Sequence, residues 1–279
     1  MVDMNFFLIV KNEFSNLLSN KYVYVTLFFF LINIVIYIFD INDSYSGDLE
    51  SWRIVSGSLV DLSNMLSLYG GVVALLVGFS SMTDEFSGRA LNTLIVKPVH
   101  RDTILNAKLV GCMCFLLCIF CLTTAIYIAI LAVLFGGAIV PALPEIFIRL
   151  PLILFFTLLY PMVLFSIAIL LRILIPDNTA ALLAIVVAYL FITVLMPNAV
   201  FTAQVGTLIG LNDQDALSWI ASLTPWWTSV QVISGGLFSF NASLTQIINS
   251  CWLEFAKLSL LIIILTTFSY ILFMRRDIQ

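Results

Sequence analysis

Charge is what this sequence has least of. Only 10% of its 279 residues are Asp, Glu, Lys or Arg, against roughly 25% in soluble domains. With 62% of residues hydrophobic, a soluble fold of this size has nowhere to hide its apolar surface, and the bilayer is the solvent that suits it. Histidine is nearly absent too. His100 stands alone, so no His-x-x-x-His metal pair can form. The chain has no G-x-x-x-x-G-K-[ST] loop, which excludes nucleotide binding by that motif. It has no G-x-S-x-G elbow and no base beside a serine within an apolar run, which excludes the usual hydrolytic arrangements. A net charge of −4 argues against a nucleic-acid surface. The apolar runs hold almost no ionisable groups, whereas proton- or sodium-coupled carriers commonly need buried carboxylates along their path. No catalytic residue, metal ligand or bound cofactor is assigned to the chain.

Cysteine is present but not as a disulfide framework. Cys112, Cys114, Cys118 and Cys121 lie in one apolar run, with Cys251 apart. Spacings of four and three put Cys114, Cys118 and Cys121 on one helical face. Apolar packing and a Cu(I) site both fit soft thiols there, but no Met or His arrangement supports the metal.

What is present is a series of long apolar runs. A helix needs about 20 apolar residues to cross about 30 Å of hydrocarbon. Six stretches qualify: about 22–39, 65–82, 109–135, 150–171, 179–197 and 256–274. Residues 1–20 contain Asp3, Lys11 and Glu13, so no cleavable signal is expected there. Phe6, Phe7, Val10, Phe14, Leu17 and Leu18 recur at three- and four-residue steps, which predicts an interfacial helix on the headgroups. Placing the N-terminus in the cytoplasm puts nine of the 12 Lys and Arg residues inside. Both termini are then cytoplasmic. Gly70, Ala74 and Gly78 form a small-residue stripe on span two that predicts close helix packing. Glu254 and Lys257, one turn apart at the outer edge of span six, are expected to pair with each other or to snorkel. Trp52, Trp219, Trp226, Trp227 and Trp252 read as interface anchors.

The most informative stretch follows span two: Thr83-Asp84-Glu85-Phe86-Ser87-Gly88-Arg89-Ala90-Leu91-Asn92-Thr93-Leu94-Ile95-Val96-Lys97-Pro98-Val99-His100-Arg101, then Lys108. Phe86, Ala90, Leu91, Leu94 and Ile95 fall on a helical stripe. Asp84 and Glu85 stand at its start, where the helix dipole favours acids, and Pro98 stops it. An amphipathic helix over 84–97 is expected, either lying on the bilayer or docking a partner.

This stretch resembles the ABC-2 permease signature: an acidic pair, a glycine, an apolar helical run, Lys-Pro-Val, a basic residue and a downstream lysine. The family often has Thr after the glycine, where this chain has Arg89. Arg172 with Pro176 to Ala181 looks like the family's tight cytoplasmic turn. Leu223-Thr224-Pro225-Trp226-Trp227 resembles its Leu-Ser-Pro segment, and 198–250 its extracellular segment. Size and short loops look most like the permease of the nitrous oxide reductase maturation transporter. The resemblance implies a single transmembrane domain over 1–279. Its fold would be all-α, an ABC-2 (type V-like exporter) arrangement of six spans, an interfacial helix, a coupling helix and an extracellular helical segment. It implies a cell-membrane permease that joins a second permease protomer and two copies of a separate ATPase, which holds ATP and Mg, and drives export. Asp84, Glu85, Gly88, Arg89, Leu91, Leu94, Pro98 and Arg101 would couple to that ATPase. The alternatives are an ion-coupled carrier or channel without an ATPase, and a membrane scaffold.

The orientation is testable with an impermeant thiol reagent added from outside. Ser46→Cys is expected to react and Thr93→Cys to stay unmodified. Outside labelling at 93 would reverse the topology.

Overall fold

The structure, a computed structural model, describes residues 2–44, 51–87, 101–198, 201, 204–207, 224–232 and 243–275. Among them there are helices and turns and no strand. In order come α1 (Val2–Ser19), α2 (Lys21–Ser44), α3 (Ser51–Ser87), α4 (Arg101–Leu134) and the short α5 (Gly136–Ile139). After a 3₁₀ turn at Val140–Ala142 follow α6 (Leu143–Leu174), α7 (Asn178–Leu190), α8 (Pro225–Val232) and α9 (Leu244–Arg275). Residues Phe191–Leu195 extend α7 as a π-turn.

Five described helices are long and apolar enough to cross a bilayer, over Gly57–Thr83, Leu105–Leu134, Val140–Leu174, Asn178–Leu195 and Thr245–Arg275. The first expected span, 22–39, falls within the 24-residue α2. The helices outrun the apolar windows. Helix α3 has 37 residues, about 55 Å at about 1.5 Å per residue, so it projects well past about 30 Å of hydrocarbon. Its hydropathy falls at Ser80-Ser81, yet the helix continues through Ser87. The expected outer segment, 198–250, is described mainly in α8, which opens on Pro225 at the position where a missing N–H costs nothing.

Helices α3 and α6 form the centre of the bundle. They run parallel: Ser63 meets Thr157 through their hydroxyls at 2.9 Å, Gly71 meets Tyr160 and Leu164, and Gly78 meets Phe165 and Ala168. The expected small-residue stripe is the contact itself. A Cβ on Gly78 would stand 2.9 Å from the Ala168 Cβ and 3.0 Å from the Phe165 carbonyl oxygen, both rigidly placed. Gly70 lies against the Phe120 ring of α4 and the Pro161 ring of α6. Pro161 interrupts α6 where this neighbour has no side chain, and a membrane helix tolerates such a break when its neighbours cover it. Helix α4 joins α3 through the Tyr127 hydroxyl, which donates to the Ser58 carbonyl at 3.0 Å. Helix α2 adds Phe30 against Tyr69, ring centres 5.3 Å apart. Helix α9 packs on α6 through Phe255, whose ring lies 5.5 Å from Phe155 and 5.6 Å from Phe156.

Two tryptophans divide the expected anchoring role. Trp252 is exposed on α9, as an anchor should be. Trp226 is instead turned into the bundle, edge-on to buried Tyr160 at 5.4 Å. Glu254 and Lys257 pair at 2.9 Å, as their spacing predicts.

Gly78→Ala is expected to lose about 1–3 kcal/mol through overpacking. Gly136→Ala, with nothing within 4 Å of the added carbon, should be neutral or slightly stabilising. Unfolding midpoints in one detergent compare the two, and equal midpoints would refute the tight α3–α6 contact.

Candidate functional site

Of the residues read as coupling elements, Asp84, Glu85 and Arg101 are described, where α3 leaves the bundle and α4 returns. Gly88, Arg89, Leu91, Leu94 and Pro98 lie outside the described residues. Asp84 and Glu85 close α3, in its last turn, and Arg101 opens α4. The acidic pair therefore does not begin a separate helix. They continue the helix that carries span two, rather than opening a new one.

Two buried cations hold this end together. Lys108 is 3% exposed, two turns into α4. Its Nζ donates to Glu13 Oε1 of α1 at 2.8 Å, to Ser81 Oγ at 2.9 Å and to the Ser81 carbonyl at 3.1 Å. An ammonium carries three donors, and these acceptors are within their reach. Such satisfaction is what makes a buried charge tolerable.

Arg172 is 2% exposed, near the end of α6. Its Nε donates to Thr83 Oγ1 at 3.0 Å. One Nη1 serves the carbonyls of Ile175 at 2.9 Å and Pro176 at 3.2 Å, while Nη2 donates to Asn178 Oδ1. The planar guanidinium fork fits this divergent set as a lysine would not. It satisfies carbonyls left over beyond α6 and binds the α6–α7 turn to α3. The turn is otherwise set by Asp177, whose carboxylate accepts from the Ala180 N–H at 2.9 Å as the N-cap of α7. The tight turn expected after Arg172 is thus present, with Arg172 as its organiser.

Helix α1 reaches this cluster along α4. Gly111 lets it approach: a Cβ there would stand 3.2 Å from the Glu13 Cβ and 3.7 Å from the Val10 carbonyl oxygen. Phe14 meets Phe115 at 6.2 Å, and Leu17 is buried. The apolar stripe of α1 is therefore divided. Phe14 and Leu17 turn to protein, while Phe7, Leu8 and Leu18 are exposed. Helix α1 is a docked helix with one apolar flank outward, rather than one whose whole apolar face meets headgroups.

The sequence reading missed Glu13, Ser81, Thr83 and Asn178 as members of the site. Two of its signals were available: Lys108 lies inside an apolar helix, and Glu13 lies on the same face as Val10, Phe14 and Leu17. Cys114, Cys118 and Cys121, expected on one helical face, are all exposed along α4. Among the described residues no three His, Cys, Asp or Glu side chains are grouped as a metal site.

The burial contrast sets an order of magnitude. Lys108→Met strands Glu13 and should cost about 3 kcal/mol. Lys257→Met breaks a pair whose side chains are 33% and 18% exposed and should cost no more than about 1 kcal/mol. Denaturation midpoints of the two variants in one detergent provide the check, and equal losses would contradict the account of Lys108.

Comparison with known proteins agrees with this architecture. No curated protein matches the chain. The sequence model of the family described as ABC-2 family transporter protein matches residues 7–278, from α1 to beyond α9. The chain belongs to that family and is a membrane component of an ABC transporter.

Proposed function

We propose that this chain is the permease half of an ATP-driven exporter, pairing with a second permease protomer and receiving work from two copies of a separate ATPase. The family supports association with an ABC ATPase and dimerisation. The copy number, the direction of transport and a cell membrane with cytoplasmic termini are the parts that this reading adds.

The observation that carries the reading is the double clamp at the root of the 88–100 segment. Ser81 is held by Lys108 and Thr83 by Arg172. A docking segment is useful only if its displacement reaches the spans. Here both of its roots are helices, and the departing helix is bonded to its neighbours within its last two turns. A push on the segment would tilt α3 and, through the glycine contact, α6. Motor closure would thus become movement of packed helices.

Asp84 and Glu85 gain a use in this setting. A basic residue of the ATPase would pair with them and fix the docking register. Gly88, Arg89, Leu91, Leu94, Pro98 and Arg101 complete the proposed coupling surface. Leu91 and Leu94 would supply its apolar contact.

The test is copurification from mild detergent. The tagged chain is expected to bring down a phosphate-loop ATPase in roughly equal amount. Glu85→Lys should lower that recovery at least about tenfold, equivalent to about 1.4 kcal/mol, with membrane insertion unchanged. Gly88→Pro should preserve insertion yet lose ATP-driven movement of the spans. Undiminished recovery with Glu85→Lys would count against docking at this loop, and a chain that never carries an ATPase would end the proposal.

A further inference from the structure

We propose that Glu13 and Lys108 form a latch that makes α1 travel with the coupling loop, so that the N-terminal helix is a moving part of the permease and not only its anchor. This rests on the reading of the 88–100 segment as the ATPase-coupling loop.

The geometry gives Lys108 an unusual reach. Its single ammonium joins three helices: α4, which carries it, α3 through both oxygens of Ser81, and α1 through Glu13. The two helices that enter and leave the loop are thus tied to each other and to α1 at one atom. The Lys108 side chain is 2% exposed and that of Glu13 is 16% exposed, so bulk water screens the pair little.

Anchoring alone does not call for this arrangement. A helix held on headgroups needs an apolar flank, and Phe7, Leu8 and Leu18 already provide one. Docking on α4 needs apolar contact and close approach, which Phe14, Leu17 and Gly111 provide. A buried ion pair adds little net stability over apolar packing, and its best-attested use is to fix register. Here it fixes the register of α1 against the first turns of α4. Apolar surfaces slide past one another at small cost, whereas this pair holds one position, with Glu13 opposite Lys108. When the loop roots shift, α1 is carried with them, its exposed flank moving against the lipid.

The test uses the full chain with its bound ATPase in nanodiscs, the five native cysteines being replaced and spin labels attached in pairs. Asn106→Cys on α4 paired with Met274→Cys on α9 reports the loop root. Asn12→Cys on α1 paired with the same Met274→Cys reports α1. Distances are compared without nucleotide and with Mg-ATP trapped by vanadate. With Glu13 and Lys108 intact, both distances are expected to shift together. With Glu13→Ala, which leaves the bonds from Lys108 to Ser81, the Asn106 shift should remain and the Asn12 shift should be lost. If Glu13→Ala does not insert, Glu13→Gln, which keeps the shape and removes the charge, carries the same two outcomes. An Asn12 shift of unchanged size in the variant, or none in the chain with the pair intact, overturns the latch. Failure of Asn106 itself to shift on nucleotide trapping instead overturns the coupling reading on which the latch depends.

Discussion

A lysine ammonium with almost no access to water must find acceptors, and the satisfaction of Lys108 organises one end of this protein. Leaving such a charge unpaired in a low-dielectric interior costs several kcal/mol. The acceptors therefore constrain the helices that bear them. Ser81 must lie beside α4, and Glu13 must lie beside Ser81. That second condition places α1 along α4, with Gly111 admitting its backbone. Arg172 imposes a matching condition a few residues later, fixing Thr83 against the α6–α7 turn. Two cations thus set the mutual positions of α1, α3, α4, α6 and α7 at the end where the 88–100 segment leaves the bundle.

The rest of the bundle turns that local constraint into a long-range one. Helices α3 and α6 touch through hydroxyls at Ser63 and Thr157 and through the missing side chains of Gly71 and Gly78. In lipid no hydrophobic force presses helices together, so close van der Waals contact and interhelical hydrogen bonds do that work. The glycines allow the contact, and a well-packed contact behaves stiffly. Ser81 and Thr83 thus lie on a helix that is closely packed against α6 further along.

How much of this is legible in the sequence depends on how local each determinant is. The stripe of Gly70, Ala74 and Gly78 is readable because its spacing lies within one helix, but its partner is not. Nothing in the local pattern points to α6 across some 90 positions. Helix ends are misplaced for a different reason. Apolar windows report where hydrocarbon stops, whereas α3 stays helical past that point, through Ser87. Asp84 and Glu85 consequently read as a helix start when they lie within a longer helix. The Glu13–Lys108 pair spans 95 positions, so neither residue names the other. Each is nonetheless a charge on an apolar face, and two such charges of opposite sign near the same end of a bundle form a natural pair. Trp226 misleads in the opposite sense. An aromatic in a segment between spans reads as an interface anchor, and only tertiary packing puts it against Tyr160.

Helix α7 shows what the clamps mean for motion. Most of its surface faces outward, with Leu182, Leu183, Val186, Val187, Leu190 and Val194 exposed, and its inward contacts centre on Ala181, Ile185 and Tyr189. Its far end loosens into the π-turn at Phe191–Leu195, where the Met196 N–H reaches back to the Phe191 carbonyl. Its near end is the stiffest part, capped by Asp177 and bonded through Asn178 to Arg172 and so to Thr83. The arginine that closes the α6–α7 turn therefore ties the near end of α7, and not its far end, to α3.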